Sequence, residues 1–183
     1  QPVYLICPIR EVISRNISAF FQNFVRDTGE DFIEGKYDLS QLRALFLTHY
    51  PHHVCLNWFD AHLMPTFGID IYSEPFPSEK GYKIYSRNGV NLLVCQSELG
   101  NDPKLSLLSR FLSIDISSFN FDNIGTEKNY SKTYSRFRNQ VTLPNEFVRK
   151  MLLSRFSKHF YTAAQIETAI NRWSDRPNLK DPG

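Results

Sequence analysis

Three side chains near the start of the chain, Arg10, Arg15 and Ser18, have the types and spacing to hold a phosphate. Arg10 ends a segment that opens with the apolar run Val3-Tyr4-Leu5-Ile6-Cys7, Arg15 falls in the first turn of the next segment, and Ser18 follows one turn later. A guanidinium binds two phosphate oxygens, a hydroxyl adds a donor, and the free amides of a helix N-terminus add dipole. A strand-to-helix junction at the carboxyl edge of a sheet brings all three together. The same residues also suit a structural use, with Arg10 capping nearby carbonyls or pairing with Glu11.

Other residues are open to two readings each. His49, His52, His53 and His62 surround a proline turn close to Cys55 and Asp60, a set that could ligate a transition metal. The spacing matches no zinc pattern, so a polar loop and helix cap are expected there, with no metal. Glu98, at a strand end, suits either a general base or a carboxylate that holds loop amides. His159 sits beside Lys158 near a helix end, where dipole capping explains it. Asn16-Ile17-Ser18 is formally a glycosylation sequon, discounted because it lies within a helix and no secretion signal is present.

The elements that must position these residues are legible from periodicity. Val3–Cys7 reads as a fully buried strand of a parallel sheet, running on to Ile9. Such a strand has neighbours on both sides, and the later sequence offers few parallel partners, so an upstream strand and helix are expected to be missing. Ile17, Phe20, Phe21 and Phe24 recur at helical spacing, predicting a helix over 14–25. A helix over 39–49 follows, capped by Asp38 or Ser40, and Cys55–Met64 forms another that Pro65 breaks. Asn88-Gly89 between 82–86 and 90–95 is a hairpin signal. Asp102-Pro103 is read as cap and first turn of a helix over 104–112. Further helices are expected at 127–140, 145–155 and, behind the capping box Thr162-Ala163-Ala164-Gln165, at 163–173.

The 183 residues, 42% of them apolar and 14% aromatic, suffice for one substantial core, and a single domain over 1–175 is expected with a disordered tail at 176–183. No stretch approaches the roughly 18–20 apolar residues of a membrane span. Cys7, Cys55 and Cys95 are odd in number and far apart, which suits reduced core thiols and a cytoplasmic setting. Residues 1–125 carry ten Lys and Arg against fourteen Asp and Glu, while 126–180 carry eleven against four. That cationic third suits an anionic ligand, a nucleic acid or plain solvent, and the usual nucleic-acid signatures are missing.

The segment Arg10-Glu11-Val12-Ile13-Ser14-Arg15-Asn16-Ile17-Ser18 resembles the 3′-phosphate signature of sulfotransferases, an arginine ending a strand and a serine eight residues on. In the carbohydrate branch the turn reads Arg-Asp-Pro with a second arginine three residues before the serine; here Val12 replaces the proline and Arg15 is the second arginine. Leu92-Leu93-Val94-Cys95-Gln96-Ser97-Glu98-Leu99, then Asp102-Pro103 and a helix ending in Phe111-Leu112, is similar to the next strand, turn and helix of that superfamily. Leu143-Pro144, Ser157-Lys158-His159-Phe160-Tyr161, Trp58-Phe59-Asp60 and Phe67-Gly68-Ile69-Asp70 resemble bacterial capsular polysaccharide synthesis proteins of sulfotransferase-like type.

The resemblance implies an α/β fold: a P-loop-like parallel core flanked by helices, with a helical C-terminal third, here without its first strand, loop and helix. It implies sulfuryl transfer from 3′-phosphoadenosine-5′-phosphosulfate to a carbohydrate hydroxyl. Arg10, Arg15 and Ser18 would hold the nucleotide, and Gly125 and Lys128, in the loop opening the helix at 127, would form a second clamp. Gly125 and Lys128 equally suit an ordinary capped helix with a solvated lysine. Trp58, Asp60 and His62 are the candidates for the acceptor sugar, with Trp58 equally suited to a core. The resemblance names no catalytic base. Without the phosphosulfate loop the chain alone is expected to be a poor catalyst, and the rival reading is a non-catalytic module that binds nucleotides or polyanions.

Overall fold

In the computed structural model, which describes residues 2–118 and 128–175, the chain opens with β1 (Val3–Ile9) and turns at Arg10-Glu11 into α1 (Val12–Gln22). The spacing of Val12, Ile13, Ile17, Phe20 and Phe21 puts all five on the buried face of α1. A one-residue break leads to α2 (Phe24–Thr28), closed by Gly29 in the left-handed conformation. Asp38 and Gln41 then form the capping box of α3 (Leu39–His49).

Beyond the proline turn come α4 (Val54–Trp58), a π-helical turn (Phe59–Leu63) and α5 (Met64–Phe67), which form one continuous helical stretch. Pro65 does not break it. The Met64 amide bonds to the Phe59 carbonyl, five residues back, and this widened turn leaves room for a ring that an ordinary α-turn would reject.

β2 (Tyr82–Arg87) and β3 (Val90–Gln96) form the hairpin expected from Asn88-Gly89, whose φ values of 51° and 77° suit its tight turn. The sheet order is β1-β3-β2, with β1 parallel to β3 (Leu5 opposite Leu92, Ile9 opposite Gln96) and β2 antiparallel to it. The fold is therefore mixed α/β, with a small mixed sheet that includes the expected hairpin, where the resemblance implied a P-loop-like parallel core. β1 is also less buried than expected: Val3, Tyr4 and Ile6 are 47%, 46% and 45% exposed. Among the described residues β3 is its one neighbour, so the apolar side chains are covered from one side only.

α6 (Asn101–Leu112) follows β3. Its cap is Gly100 rather than Asp102, and Pro103 occupies the third helical position, where its missing N–H would have been unpaired in any case. α7 (Ser131–Gln140) starts later than predicted. The helix expected over 145–155 is two, α8 (Asn145–Leu152) and α9 (Arg155–Phe160), because Ser154 accepts from the Ser157 amide and caps a new start. α10 (Ala163–Trp173) matches its prediction, Thr162-Gln165 capping box included.

One face of the sheet packs on the main core, where Leu92 and Val94 meet the helical side chains Ile13, Phe20, Phe46, Phe137 and Phe160. Burying each of these is worth about 1.5–3 kcal/mol. The opposite face, Leu93 and Cys95, is covered by Leu107 and Phe111 of α6. α10 is stitched to the loop before α8 by two backbone bonds, Leu143 to Trp173 at 2.7 Å and Asp175 to Leu143 at 2.8 Å. Among the described residues no helix is long and apolar enough to cross a membrane.

Candidate functional site

Because β1 and β3 are parallel, the segments that leave them, Arg10-Glu11 and Ser97-Glu98, emerge at the same carboxyl edge of the sheet. Backbone pairing continues past the strands: Ser97 donates to the Ile9 carbonyl at 2.6 Å, and the Glu11 amide donates to Glu98 Oε1 at 2.9 Å. Glu98 thus does the work of the loop-holding carboxylate. It also accepts from the Tyr161 hydroxyl, 3.4 Å from either oxygen. Burial first, and then the Glu98 charge, pushes the Tyr161 phenol far above its ordinary value, so it stays a donor.

Glu11 caps α1. Its carboxylate accepts from the Ile13 amide at 2.6 Å, the Ser14 amide at 2.9 Å, the Ser14 hydroxyl at 2.6 Å and the Trp173 indole at 3.0 Å. The helix N-terminal amides that the sequence offered to a phosphate are therefore already occupied by the protein's own carboxylate. An anion at this edge must rely on side chains.

Such side chains are present to one side of the cap. Arg10, Arg15 and Trp58 together line a cavity of about 200 Å³ whose apolar walls include Ile9, Phe59 and Phe156. No carboxylate is among its lining residues, so two arginine side chains border a partly apolar space that the exposed Trp58 also lines.

Arg15 is held in place. Its Nη1 donates to the Tyr50 hydroxyl at 2.7 Å and to Asn16 Oδ1 at 3.2 Å. Asn16 is 1% exposed; its Oδ1 also takes the Cys55 thiol at 3.3 Å, and its Nδ2 donates to the His52 carbonyl at 3.4 Å. This burial makes the sequon inaccessible. The same Nδ2 lies 3.4 Å from His52 Nδ1, while His52 Nε2 lies 2.8 Å from the Phe46 carbonyl. A donor at one ring nitrogen and an acceptor at the other fit a neutral ring protonated at Nε2. Burial lowers the His52 pKa, which keeps the ring neutral. His52 is thus a core histidine wedged against Phe46 and Phe147.

The thiols near the cavity pack rather than react. Burial, with a smaller contribution from Cys95, raises Cys7 to about 11, and burial raises Cys55 against the opposing pull of Arg15. His159, expected at a helix end, does sit in the last turn of α9, but its ring packs against Tyr72 and Phe160.

The remaining predicted residues do not join this cavity. Ser18 is part-buried, one turn beyond Ser14 on the same face of α1, and is not among the cavity's lining residues. Asp60 and His62 are exposed on the π-helical turn; Asp60 pairs with Arg155 at 3.4 Å, and the His62 ring lies 5.9 Å from Trp58. Lys128 precedes α7, and its carbonyl accepts from the Ser131 amide at 3.0 Å. Gly125 lies outside the described residues.

On the other side of the α1 cap lies a groove of about 560 Å³ that sequence reasoning missed, formed by Glu11, Ser14 and Glu98 with the end of α7 and one face of α10. Arg138, Tyr161, Gln165, Thr168 and Arg172 are among its further polar lining residues. Arg172 lies over the Trp173 ring at 4.5 Å and donates to the carbonyls of Arg138 at 2.5 Å and Asn139 at 3.1 Å. The available signal was the cationic C-terminal third; no periodicity links residues 34 apart.

A search of curated proteins and of solved structures found no match to the chain. A family model described as "Putative capsular polysaccharide synthesis protein" matches residues 40–162. The matched span includes Trp58, Asp60, His62, Gly125, Lys128 and Glu98, and begins after Arg10, Arg15 and Ser18. With residues 40–162 of the 183 matched, the chain belongs to this capsular polysaccharide synthesis family.

Proposed function

We propose that the protein serves capsule synthesis as a sulfotransferase-like enzyme, binding 3′-phosphoadenosine-5′-phosphosulfate and directing its sulfuryl group to a saccharide hydroxyl. The observation that carries this reading is the convergence of Arg10 and Arg15 on one cavity at the carboxyl end of β1, with an aromatic ring beside them and no carboxylate among the lining residues. Capsule synthesis supplies the carbohydrate side of the proposal.

The residues present fit part of such a donor. A cavity of about 200 Å³ accepts a phosphate and a portion of a ring, and is smaller than the roughly 300–1,000 Å³ of whole-ligand sites. Two guanidiniums suit the 3′-phosphate, and Trp58 suits a flat ring. When bound, the donor would supply an activated sulfuryl group: the acceptor oxygen forms a bond to sulfur, the bond from sulfur to the 5′-phosphate oxygen breaks, adenosine 3′,5′-bisphosphate leaves, and the hydroxyl proton passes to a base. Arg10 and Arg15 would anchor the nucleotide through the part that does not react.

The test compares thermal shifts with adenosine 3′,5′-bisphosphate and adenosine 5′-monophosphate. The reading expects the larger stabilisation from the bisphosphate, since only it carries the 3′-phosphate. Equal shifts, or none, would remove the nucleotide from the proposal.

A further inference from the structure

The two hollows flanking the α1 cap differ in chemistry. The cavity beside Arg10 offers cations and apolar walls, whereas the groove beside Glu98 offers both signs of charge and both senses of hydrogen bond. We infer that this groove is the binding site for a hydroxyl-rich saccharide, with Glu98 accepting from a sugar hydroxyl. The inference deepens the proposed function and rests on it for the role of acceptor, while the binding itself stands on the groove.

Donors and acceptors are both in place. Glu98 is exposed and is fixed by the Glu11 amide at 2.9 Å and the Tyr161 hydroxyl at 3.4 Å, so its carboxylate is oriented and still has lone pairs to offer. Gln165 spends its Oε1 on the Thr162 amide at 2.8 Å, which leaves its NH2 as a donor. Arg138, which also lines the groove, is exposed, and among the described residues no hydrogen bond engages its side chain. Arg172 is tied to two carbonyls and lies over the Trp173 ring, a braced donor rather than a free one.

These features select the ligand class. A phosphate or sulfate only accepts hydrogen bonds and would meet the carboxylates of Glu11 and Glu98 across the groove. A sugar hydroxyl both donates and accepts, so it can satisfy Glu98 with its proton and Gln165 or Arg138 with its oxygen. Ala164, Ala169 and Tyr161 add apolar surface for the C–H faces of a ring. At about 560 Å³ the groove also falls within the usual range of ligand sites, which the cavity at Arg10 does not. The acceptor then lies across the α1 cap from the nucleotide cavity, and not over Asp60 and His62.

The test is a titration of the 15N-labelled 183-residue chain with two probes, maltoheptaose and a hyaluronan octasaccharide, read by amide chemical shifts. At least one should move the amides of Glu98, Gln165 and Thr168 along a saturable curve. Thr168→Trp fills the groove from the outer face of α10 and should abolish those shifts, while Glu98→Gln should weaken binding about tenfold. Silence from both probes overturns the inference, as do shifts that centre on Trp58 and His62 or that survive Thr168→Trp. A parallel titration with adenosine 3′,5′-bisphosphate reports on the Arg10 cavity alone, so a failure there strikes the donor reading and leaves the saccharide result intact.

Discussion

Arg15 Nη1 donates to the Tyr50 hydroxyl at 2.7 Å, so a guanidinium of the proposed anion cavity is anchored by the residue that follows α3. Tyr50→Phe keeps the ring in its stack on Phe46 and removes only this bond. The variant should lose about 1.5–2 kcal/mol of stability in urea denaturation, the lower part of the range for a bond to a charged group. It should also weaken bisphosphate binding a few-fold, because Arg15 is then free to sample other rotamers. Unchanged binding would mean that Arg15 does not touch the ligand.

Arg10→Lys keeps the charge and loses the fork. In isothermal titration it should weaken adenosine 3′,5′-bisphosphate binding by about 1.5–3 kcal/mol, on the order of ten- to a hundredfold, with little change in melting temperature. Ser18→Ala should change binding less than about twofold, since Ser18 does not line the cavity and a neutral hydroxyl contributes little at a distance. A melting temperature that collapses in Arg10→Lys while binding persists would make Arg10 a structural residue.

Stability should fall on acidification. Burial holds His52 below its ordinary value of 6.5, and burial does the same for His159. Unfolded, both rings take up a proton more readily than in the native state. Their contribution is thus fully present above the unfolded value and is lost as the pH falls through the lower folded one. Urea midpoints measured from about pH 8 to about pH 5 should decline, and the decline should flatten in His52→Gln/His159→Gln. An equally steep decline in that variant would assign the effect to the carboxylates.

Gly81 adopts φ +75°, and a Cβ there would lie 2.9 Å from Leu99 Cδ2 and 3.0 Å from Gln96 Oε1. Gln96 is buried, and its Nε2 donates to the Phe160 carbonyl at 2.6 Å. Gly81→Ala therefore combines backbone strain with displacement of a buried amide and should cost about 2–3 kcal/mol in chemical denaturation. A cost under about 1 kcal/mol would show that the Leu99 side chain simply moves aside.

What the sequence revealed was what local spacing encodes. Asn88-Gly89 dictated its turn, Thr162 and Gln165 their capping box, and Ile17, Phe20, Phe21 and Phe24 the buried face of the first helices, since each signal lies within a few residues. Pro65 misled because its tolerance depends on a widened turn that starts at Phe59. Glu11 was read only as a possible partner of Arg10, whereas its donors include an indole 162 residues away. The saccharide groove was hidden for the same reason: Glu98, Arg138 and Arg172 meet only through the packing of three separate elements. Of the predicted site, Arg10, Arg15 and Trp58 share a cavity while Ser18, Asp60 and His62 do not, a partition set by helix faces and by the π-helical turn.

The indole bond between Trp173 and Glu11 also bears on how the chain is made. A growing polypeptide can form α1 early, but the carboxylate at its start gains this last donor only after residue 173 has been synthesised and α10 has docked. At roughly 5–20 residues per second, that interval is on the order of 10–30 s on the ribosome, and for most of it Phe21 lacks the α7 rings of Tyr134 and Phe137 that later cover it. The nascent chain should therefore remain protease-sensitive and attractive to holdase chaperones until α10 emerges, and should then consolidate in one late step.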